Sequence, residues 1–337
     1  MVGFKINILH DQNHVISKLS LLMERVKIMQ LTISVVIPTY NRVDALVNCI
    51  EGIRRQVRLP DEIVIVVRSS DDNTRQFLTS IDIGDLKVAL VERGGMIAAL
   101  NTGISKSKGS IIALTDDDTV PHPDWLQNME RYYIEMPDVG GVGGRDIVYH
   151  GGKPVPPQKR KVGIIRPYGR IVGNHHIGMG GVREVDILKG ANMSFRREAI
   201  RGLTFDERLR GTGAQVHNEL DFSQAVKKKG WKLLYDPNIM VDHFPAVRFD
   251  EDQRHSFNEI AFFNAAHNET YAMLKHLGLF NRIMYLLWVV SIGSKSSPGV
   301  VQGIRMLPRQ KGIALKKVAL AFKGRWGGWK TWKGSME

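Results

Sequence analysis

The chain of 337 residues holds a single cysteine, Cys49. One thiol excludes a disulfide framework and a cysteine-only zinc site, and it fits a reducing compartment. Long apolar runs are also missing. The best candidate, residues 283–292 with Ser291 as the only break, would reach about 15 Å as a helix, half of a bilayer core of about 30 Å. No internal repeat, sustained heptad or collagen period is present, which excludes solenoids, coiled coils and fibrous chains. Acidic residues almost vanish from one region. Residues 279–337 contain eleven basic residues and one acidic residue, Glu337, so this tail carries +10 of the net +13. Residues 1–30 lack the apolar core of a secretory signal and are interrupted by Asp11, His14, Lys18, Glu24 and Arg25. A short helix is expected over 16–29, either docked loosely or lying ahead of a start at Met23 or Met29.

What remains is a globular composition, 43% apolar and 24% charged, enough for one large core or two modest ones. The β-branched run Ile33-Ser-Val-Val-Ile-Pro reads as a buried strand with a loop at its carboxyl end. Leu46, Val47, Ile50 and Ile53 have helical spacing over 43–56. A second strand is expected at Glu62-Ile-Val-Ile-Val-Val, a helix over 72–80 behind an acidic cap, a third strand over 86–91 and a helix over 97–105. Ser110-Ile-Ile-Ala-Leu is a fourth strand, and it runs into Thr115-Asp-Asp-Asp. This alternation predicts an α/β fold with a mostly parallel sheet covered on both faces. Ligands of such sheets bind outside the carboxyl ends of the strands. The loops 38–42, 68–73 and 116–118 therefore converge on one edge. Glycines at 140–144 and 151–152 flank a stretch expected to be loop-rich to about residue 181, a lid or binding loop. Regular structure resumes at Val185, with a helix over 221–229, and the body ends near His243.

Four constellations carry chemistry. Asp116, Asp117 and Asp118 repel one another at a strand end unless a cation or protons neutralise them. Oxygen ligands of this kind suit Mg²⁺ or Mn²⁺, typically shared with a substrate phosphate. The bland alternative is a solvated acidic turn. Gly190-Ala-Asn-Met-Ser-Phe-Arg-Arg is a small-residue turn entering a strand. In His217-Asn-Glu-Leu-Asp-Phe, Glu219 and Asp221 precede an amphipathic helix, one a general base and the other a cap, or both caps. His243, in Val241-Asp-His-Phe-Pro, is a metal ligand or a satisfied core residue.

Taken in order, these segments resemble the family-two glycosyltransferases of the GT-A fold. The matches are Ser34-Val-Val-Ile-Pro-Thr-Tyr-Asn-Arg; Asn101-Thr-Gly-Ile followed by Gly109-Ser-Ile-Ile-Ala-Leu-Thr-Asp-Asp-Asp; residues 121–126; Gly190-Ala-Asn-Met-Ser-Phe-Arg-Arg; and Asn218-Glu-Leu-Asp-Phe followed by Gly230-Trp. The resemblance spans about residues 33–245. It implies a Rossmann-like, mostly parallel sheet flanked by helices, and inverting transfer of a sugar from a nucleotide-diphosphate donor to a hydroxyl. Pro38, Thr39, Tyr40 and Arg42 would shape the nucleotide pocket. Asp116 and Asp117 would face the donor, and Asp118, Asp116 and His243 would hold Mn²⁺ or Mg²⁺. Gly190, Ala191 and Asn192 would lie on the acceptor side. Glu219 would be the base, with Asp221 next in line. Three departures stand out. Arg68-Ser-Ser-Asp-Asp-Asn replaces the family's base-reading Asp-Asp-Gly-Ser, leaving Asp71 or Asp72 to make that contact. Ala99-Leu100-Asn101 replaces Ala-Arg-Asn, with Arg93 as substitute cation. Glu219 stands where the family has its catalytic Asp.

The expected organisation is a leader at 1–30, a catalytic domain at 31–245 and a helical basic extension at 246–337. Four of six tryptophans, Trp288, Trp326, Trp329 and Trp332, fall in that extension. Basic residues with tryptophans suit an anionic membrane surface, so the expected location is cytoplasmic, peripheral at the inner face of the membrane. The competing reading is a helical cap with a solvated basic end. The expected partners are a UDP-, GDP- or dTDP-sugar and a glycan or lipid-linked acceptor. No nucleic acid is expected, because no recognised binding module accompanies the charge. A nucleotidyltransferase would need a Gly-rich phosphate loop with a lysine near the first strand, and Pro38-Thr-Tyr-Asn-Arg is not that loop. A membrane-bound sugar-nucleotide-binding protein without transferase activity is the rival from another class.

Overall fold

The computed structural model describes residues 31–81, 84–249, 251 and 257–336; the leader and its expected helix lie outside the described residues. Strands β1 (Ile33–Thr39), β2 (Glu62–Arg68), β3 (Leu86–Val91) and β4 (Ile111–Leu114) alternate with helices α1 (Val43–Arg54), α2 (Asp72–Ser80) and α3 (Met96–Lys106). β1 pairs in parallel with both β2 and β4, and β2 with β3. Successive side chains of a strand point to opposite faces, and both faces here are covered. Ile33, Val35 and Ile37 pack with Leu46, Ile50 and Ile53 of α1. Val36, Val64 and Val66 pack with Ile97 and Leu100 of α3. This is why β1 and β2 read as continuous apolar runs.

After β5 (Thr119–Pro121) and α4 (Trp125–Glu135), the chain enters β6 (Val139–His150), with short strands β7 (Lys153–Pro154), β8 (Ile164–Ile165), β9 (Ile171–Val172) and β10 (Arg183–Glu184). Then follow β11 (Met193–Arg196), α5 (Arg197–Ile200), α6 (Asn218–Lys228) and β12 (Lys232–His243). The main path of the sheet runs β10-β12-β6-β11-β4-β1-β2-β3. β11 lies antiparallel between β4 and β6, while β6 pairs in parallel with β12, so β11 joins two parallel blocks and the whole sheet is mixed. Residues 140–144, expected to border a loop, lie inside the 12-residue strand β6. Their glycines are there for close approach. A Cβ on Gly144 would stand 1.8 Å from the Ile239 carbonyl oxygen, and one on Gly140 2.5 Å from Trp231.

Three helices complete the chain: α7 (Glu259–His276), α8 (Leu279–Ser291) and α9 (Val300–Gly334). α9 breaks at Lys311, whose φ is +42°, three residues after Pro308; proline removes a helical hydrogen bond and clashes with the preceding turn. The extension is built into the body rather than appended to it. Tyr271 of α7 sits in the same core cluster as Phe195, Phe205 and Phe222. Trp288, Trp329 and Trp332 pack around Ile187, Leu220, Met273 and Tyr285. Three of the four tail tryptophans therefore serve packing, and among the described residues no helix is long and apolar enough to cross a membrane.

Candidate functional site

The carboxyl ends of β1, β2 and β4 open onto one cleft, lined by Pro38, Thr39, Tyr40, Arg42, Arg68, Arg93, Asp116 and Asp118 among others. Its floor is the acidic turn after β4. Asp116, Asp118 and His243 each offer one ligand atom, and these atoms lie within 4.8 Å of one another. His243 sits at the end of β12, where antiparallel pairing with β5 fixes its place opposite Thr119. Its Nε2 is 3.4 Å from Asp118 Oδ1 and its Nδ1 is 3.5 Å from Asp146 Oδ2. Burial disfavours a charged imidazole, but Asp118 and Asp146 outweigh it and raise the His243 pKa to about 9. Asp118 also accepts from the Ala246 N–H at 3.0 Å; against the cost of burial, His243 and Arg42 hold its carboxyl below the usual range. Burial and the neighbouring Asp118 push Asp116 up.

This donor set fits a hard divalent cation: two carboxylates and an imidazole whose far nitrogen faces a carboxylate. Around it, Arg42 touches Asp117 and Asp118, Lys189 touches Asp146, and Arg248 is close enough to act on Asp116. Asp117 does not line the cleft. It is buried beneath Arg42, which contacts it at 2.8 Å, and burial raises its pKa to about 7 despite that cation. Asp117 thus buttresses Arg42 instead of facing a donor.

The loop positions separate in the same way. Asp71 is buried and caps α2, accepting from the Thr74 and Asn41 N–H groups, the latter at 2.6 Å. That bond holds Asn41 at a φ of +54° and so shapes the first loop. Asp72 is exposed and pairs with Arg75. Neither lines the cleft where a base would be read. Arg68 does, with its guanidinium 5.1 Å from the centre of the Tyr40 ring. Arg93 lines the cleft as well and pairs with Glu207 at 2.7 Å.

Close enough to Asp116 to feel its charge is Glu219, in the first turn of α6. His217 starts that helix in the left-handed region, with a φ of +73°. Gly190 gives Glu219 its space: a Cβ there would lie 3.1 Å from Glu219 Oε1. Burial raises the Glu219 pKa, and the Asp116 charge adds to the effect. Asp221 points elsewhere. It is buried and bound to Lys275 Nζ at 2.9 Å and His276 Nε2 at 2.8 Å. It ties α6 to α7 and has no free face for a substrate proton. Of the three residues expected on the acceptor side, only Gly190 faces Glu219. Ala191 and Asn192 are buried. Asn192 donates to the Arg145 and Ile239 carbonyls and accepts from Trp125 Nε1, which makes it a tie across the sheet.

Sequence reading missed Asp146, Lys189 and Arg68. Asp146 and Lys189 form an ion pair behind His243. A lone carboxylate within the glycine-rich apolar run of β6 was the available signal for Asp146. Arg68 was visible only as a departure from a familiar pattern.

A sequence model described as "Glycosyl transferase family 2" matches residues 34–203, half of the chain. The chain belongs to glycosyl transferase family 2. Among curated relatives, this family 2 chain is 36% identical over 102 residues to glycosyltransferase AglE of Haloferax volcanii, covering 28% of this chain and 33% of AglE. It is 26% identical over 223 residues to the glucosyl-dolichyl phosphate glucuronosyltransferase of the same organism, covering 63% of this chain and 68% of that protein. The match thus spans a third of the first relative and two thirds of the second. Two solved structures share the fold. GalNAc-T7 with UDP, GalNAc and Mn²⁺ superposes with a TM-score of 0.59 at 17% identity, over 76% of this chain and 50% of that one. The mannosyltransferase PcManGT of Pyrobaculum calidifontis, with GDP-Man and Mn²⁺, gives 0.52 at 17% identity, over 89% and 87%.

Proposed function

We propose that this family 2 chain transfers a sugar from a nucleotide-diphosphate donor to a hydroxyl of a lipid-linked or glycan acceptor, with inversion and with a divalent cation. The observation that carries the reading is the meeting of Asp116, Asp118 and His243 within 4.8 Å at the floor of the cleft. Similar proteins named as dolichyl phosphate glycosyltransferases favour the lipid-linked acceptor. Mn²⁺ or Mg²⁺ would be held by Asp116, Asp118 and His243, with Asp146 orienting the imidazole. When bound, such a cation would neutralise the departing diphosphate.

The remaining roles fall to the chain's own groups. Pro38, Thr39, Tyr40, Arg68 and Arg93 would border the nucleoside end of the cleft, and Arg42 would sit at the phosphate end, fixed by Asp117. Glu219, near Asp116, would take the proton of the acceptor hydroxyl at Oε1 or Oε2 as its oxygen attacks the anomeric carbon opposite the leaving diphosphate. A carboxylate kept from water has a raised pKa and is the better base for it. The test is release of nucleoside diphosphate from a panel of UDP-, GDP- and dTDP-sugars, with and without Mn²⁺ or Mg²⁺, alongside Asp118→Ala. Metal-dependent release from one donor, lost in the variant, is the expected result. Binding without release in the presence of candidate acceptors would favour a non-catalytic binder, and no binding of any donor would sink the reading.

A further inference from the structure

The apolar surface of the extension does not lie where its tryptophans cluster. α8 is apolar nearly all round. Tyr285 and Val289 are fully buried on its inner side. Its outer side carries Leu279 and Phe280, each 74% exposed, then Ile283, Leu287 at 61% and Val290. Their spacing of i, i+1, i+4, i+8 and i+11 puts them on one stripe of a helix. Further exposed apolar residues follow at Ile292 and, past the tight turn made by the Gly293–Pro298 bridge and the Gly299 N–H to Ile292 carbonyl bond, at Val300, Val301 and Ile304 of α9. Contiguous exposed apolar surface of this kind marks an interaction site.

Two observations identify the partner. The first is charge. Between Thr270 and Met336 the sequence has no acidic residue, and Lys295, Arg305 and Arg309 lie exposed around the stripe. A second copy of the chain would bring two tails of +10 face to face, whereas an anionic lipid surface complements both the charge and the apolar stripe. The second is position. The inner side of α8 clamps the β8–β9 hairpin: Gly169, at a φ of +84°, lies so close to Tyr285 that a Cβ would meet it at 2.5 Å, and Tyr168 packs on Trp288 with ring centres 5.7 Å apart. The same cluster contains Leu220, the neighbour of Glu219. α8 therefore packs on the same cluster as α6, the helix that carries Glu219. At 13 residues it spans about 20 Å, too short to cross a core of about 30 Å, which suits a helix lying in the interface.

We propose that the outer face of α8, continued by the first turns of α9, seats the protein on an anionic lipid bilayer and brings membrane-held acceptors to the Glu219 side of the cleft. The proposal rests on the lipid-linked acceptor reading above, but its first readout needs neither donor nor acceptor. Full-length protein would be sedimented with vesicles of phosphatidylcholine alone and of phosphatidylcholine with phosphatidylglycerol. Binding is expected to the anionic vesicles. It should weaken by about tenfold or more in Phe280→Ser/Ile283→Ser/Leu287→Ser, which removes three exposed apolar side chains. Arg305→Gln/Arg309→Gln, which removes two of the tail's eleven basic residues, should weaken binding to the anionic vesicles by about tenfold and leave binding to phosphatidylcholine alone unchanged. Both variants should keep the wild-type circular dichroism and the release of nucleoside diphosphate in solution. Equal binding of wild type and the triple variant, or no binding by either, overturns the proposal. A wild-type dimer that the triple variant converts to monomer overturns it in favour of a second copy. If vesicle binding behaves as expected while no donor is turned over, the transferase reading fails and the membrane seat stands.

Discussion

Two buried groups of charges, one at the cleft floor and one at the junction with the extension, are built differently. At the cleft floor, Asp116, Asp117, Asp118 and Asp146 crowd around His243, with Arg42 and Lys189 in contact and Arg248 close enough to act on Asp116, and burial pushes the Asp116 and Asp117 carboxyls up. At the junction with the extension, Asp206 and Asp221 meet Arg208, Lys275 and His276, and every carboxylate has a close cation. Burial alone would raise the Asp206 pKa; its bonds to Arg208, Lys275 and Tyr271 reverse this and hold the carboxyl well below its usual range. A balanced buried cluster holds two elements together. A cluster at the floor of a cleft whose carboxyls are pushed up by burial and by one another is one that a ligand's cation can relieve. Two carboxylates only two residues apart, Glu219 and Asp221, fall on the two sides of this division.

The sharpest way to break the comparison is to neutralise each of that pair in turn. Glu219→Gln should lower turnover by about 10²- to 10⁴-fold, the usual worth of a positioned base, with donor binding retained in a titration. The wild-type rate should also fall as pH drops through a value above the ordinary glutamate range near about 4.3, because a base whose pKa is raised by burial is protonated sooner on acidification. A Glu219→Gln enzyme with near-normal turnover would remove Glu219 from the mechanism. Asp221→Asn should act on stability. Lys275 keeps Asp206, so the loss of charge opposite Lys275 and His276 should cost about 1–3 kcal/mol, as for buried polar groups that lose a partner, read from the midpoint of urea unfolding. Turnover per folded molecule should stay close to wild type. The opposite pattern, full stability and lost chemistry, would exchange the two assignments.

Smaller effects sharpen the same contrast. Asp146→Asn should weaken activation by Mn²⁺ by about 10- to 100-fold, the range for a group that orients a metal-binding imidazole, and saturating metal should restore most of the rate. A variant with unchanged metal dependence would make Asp146 a partner of Lys189 alone. Glu269 tests the interior of the extension. Burial raises its pKa to about 7, against the pull of Arg325. The folded protein then holds a proton that the unfolded chain releases near about 4.3, so stability falls as pH climbs between those values. Glu269→Gln has no such proton to lose, and its stability relative to wild type should rise from pH 5 to pH 8. A difference that stays flat across that window would mean that Glu269 is ionised in the fold.

The first four strands and the helices between them were legible residue by residue. β1, β2 and α2 occur where apolar runs and an acidic cap placed them, since a strand buried on both faces and a capped helix leave local marks. The glycines of β6 were misleading, because their purpose is contact with Ile239 and Trp231 from distant segments. The same holds at the site. Asp116, Asp118 and His243 carried signals in their own neighbourhoods. Asp71 and Asn192 carried equally polar signals but turned out to hold backbone in place, through Asn41 and through the Arg145 and Ile239 carbonyls.

By itself the sequence determined the alternating strands and helices, the carboxylate turn at the end of a buried strand, the basic tail and its inability to span a bilayer. These are consequences of side-chain periodicity, charge and length along a continuous stretch of chain. The grouping of Asp116, Asp118 and His243 was expected from the family resemblance; only the tertiary structure decided that Asp146 stands behind His243, that Asp221 is tied to the extension, and that the outer face of α8 is left exposed. Each of those depends on residues tens to more than a hundred positions apart being brought within a few ångströms, and no local pattern encodes which of several similar side chains will be met there and which will be covered.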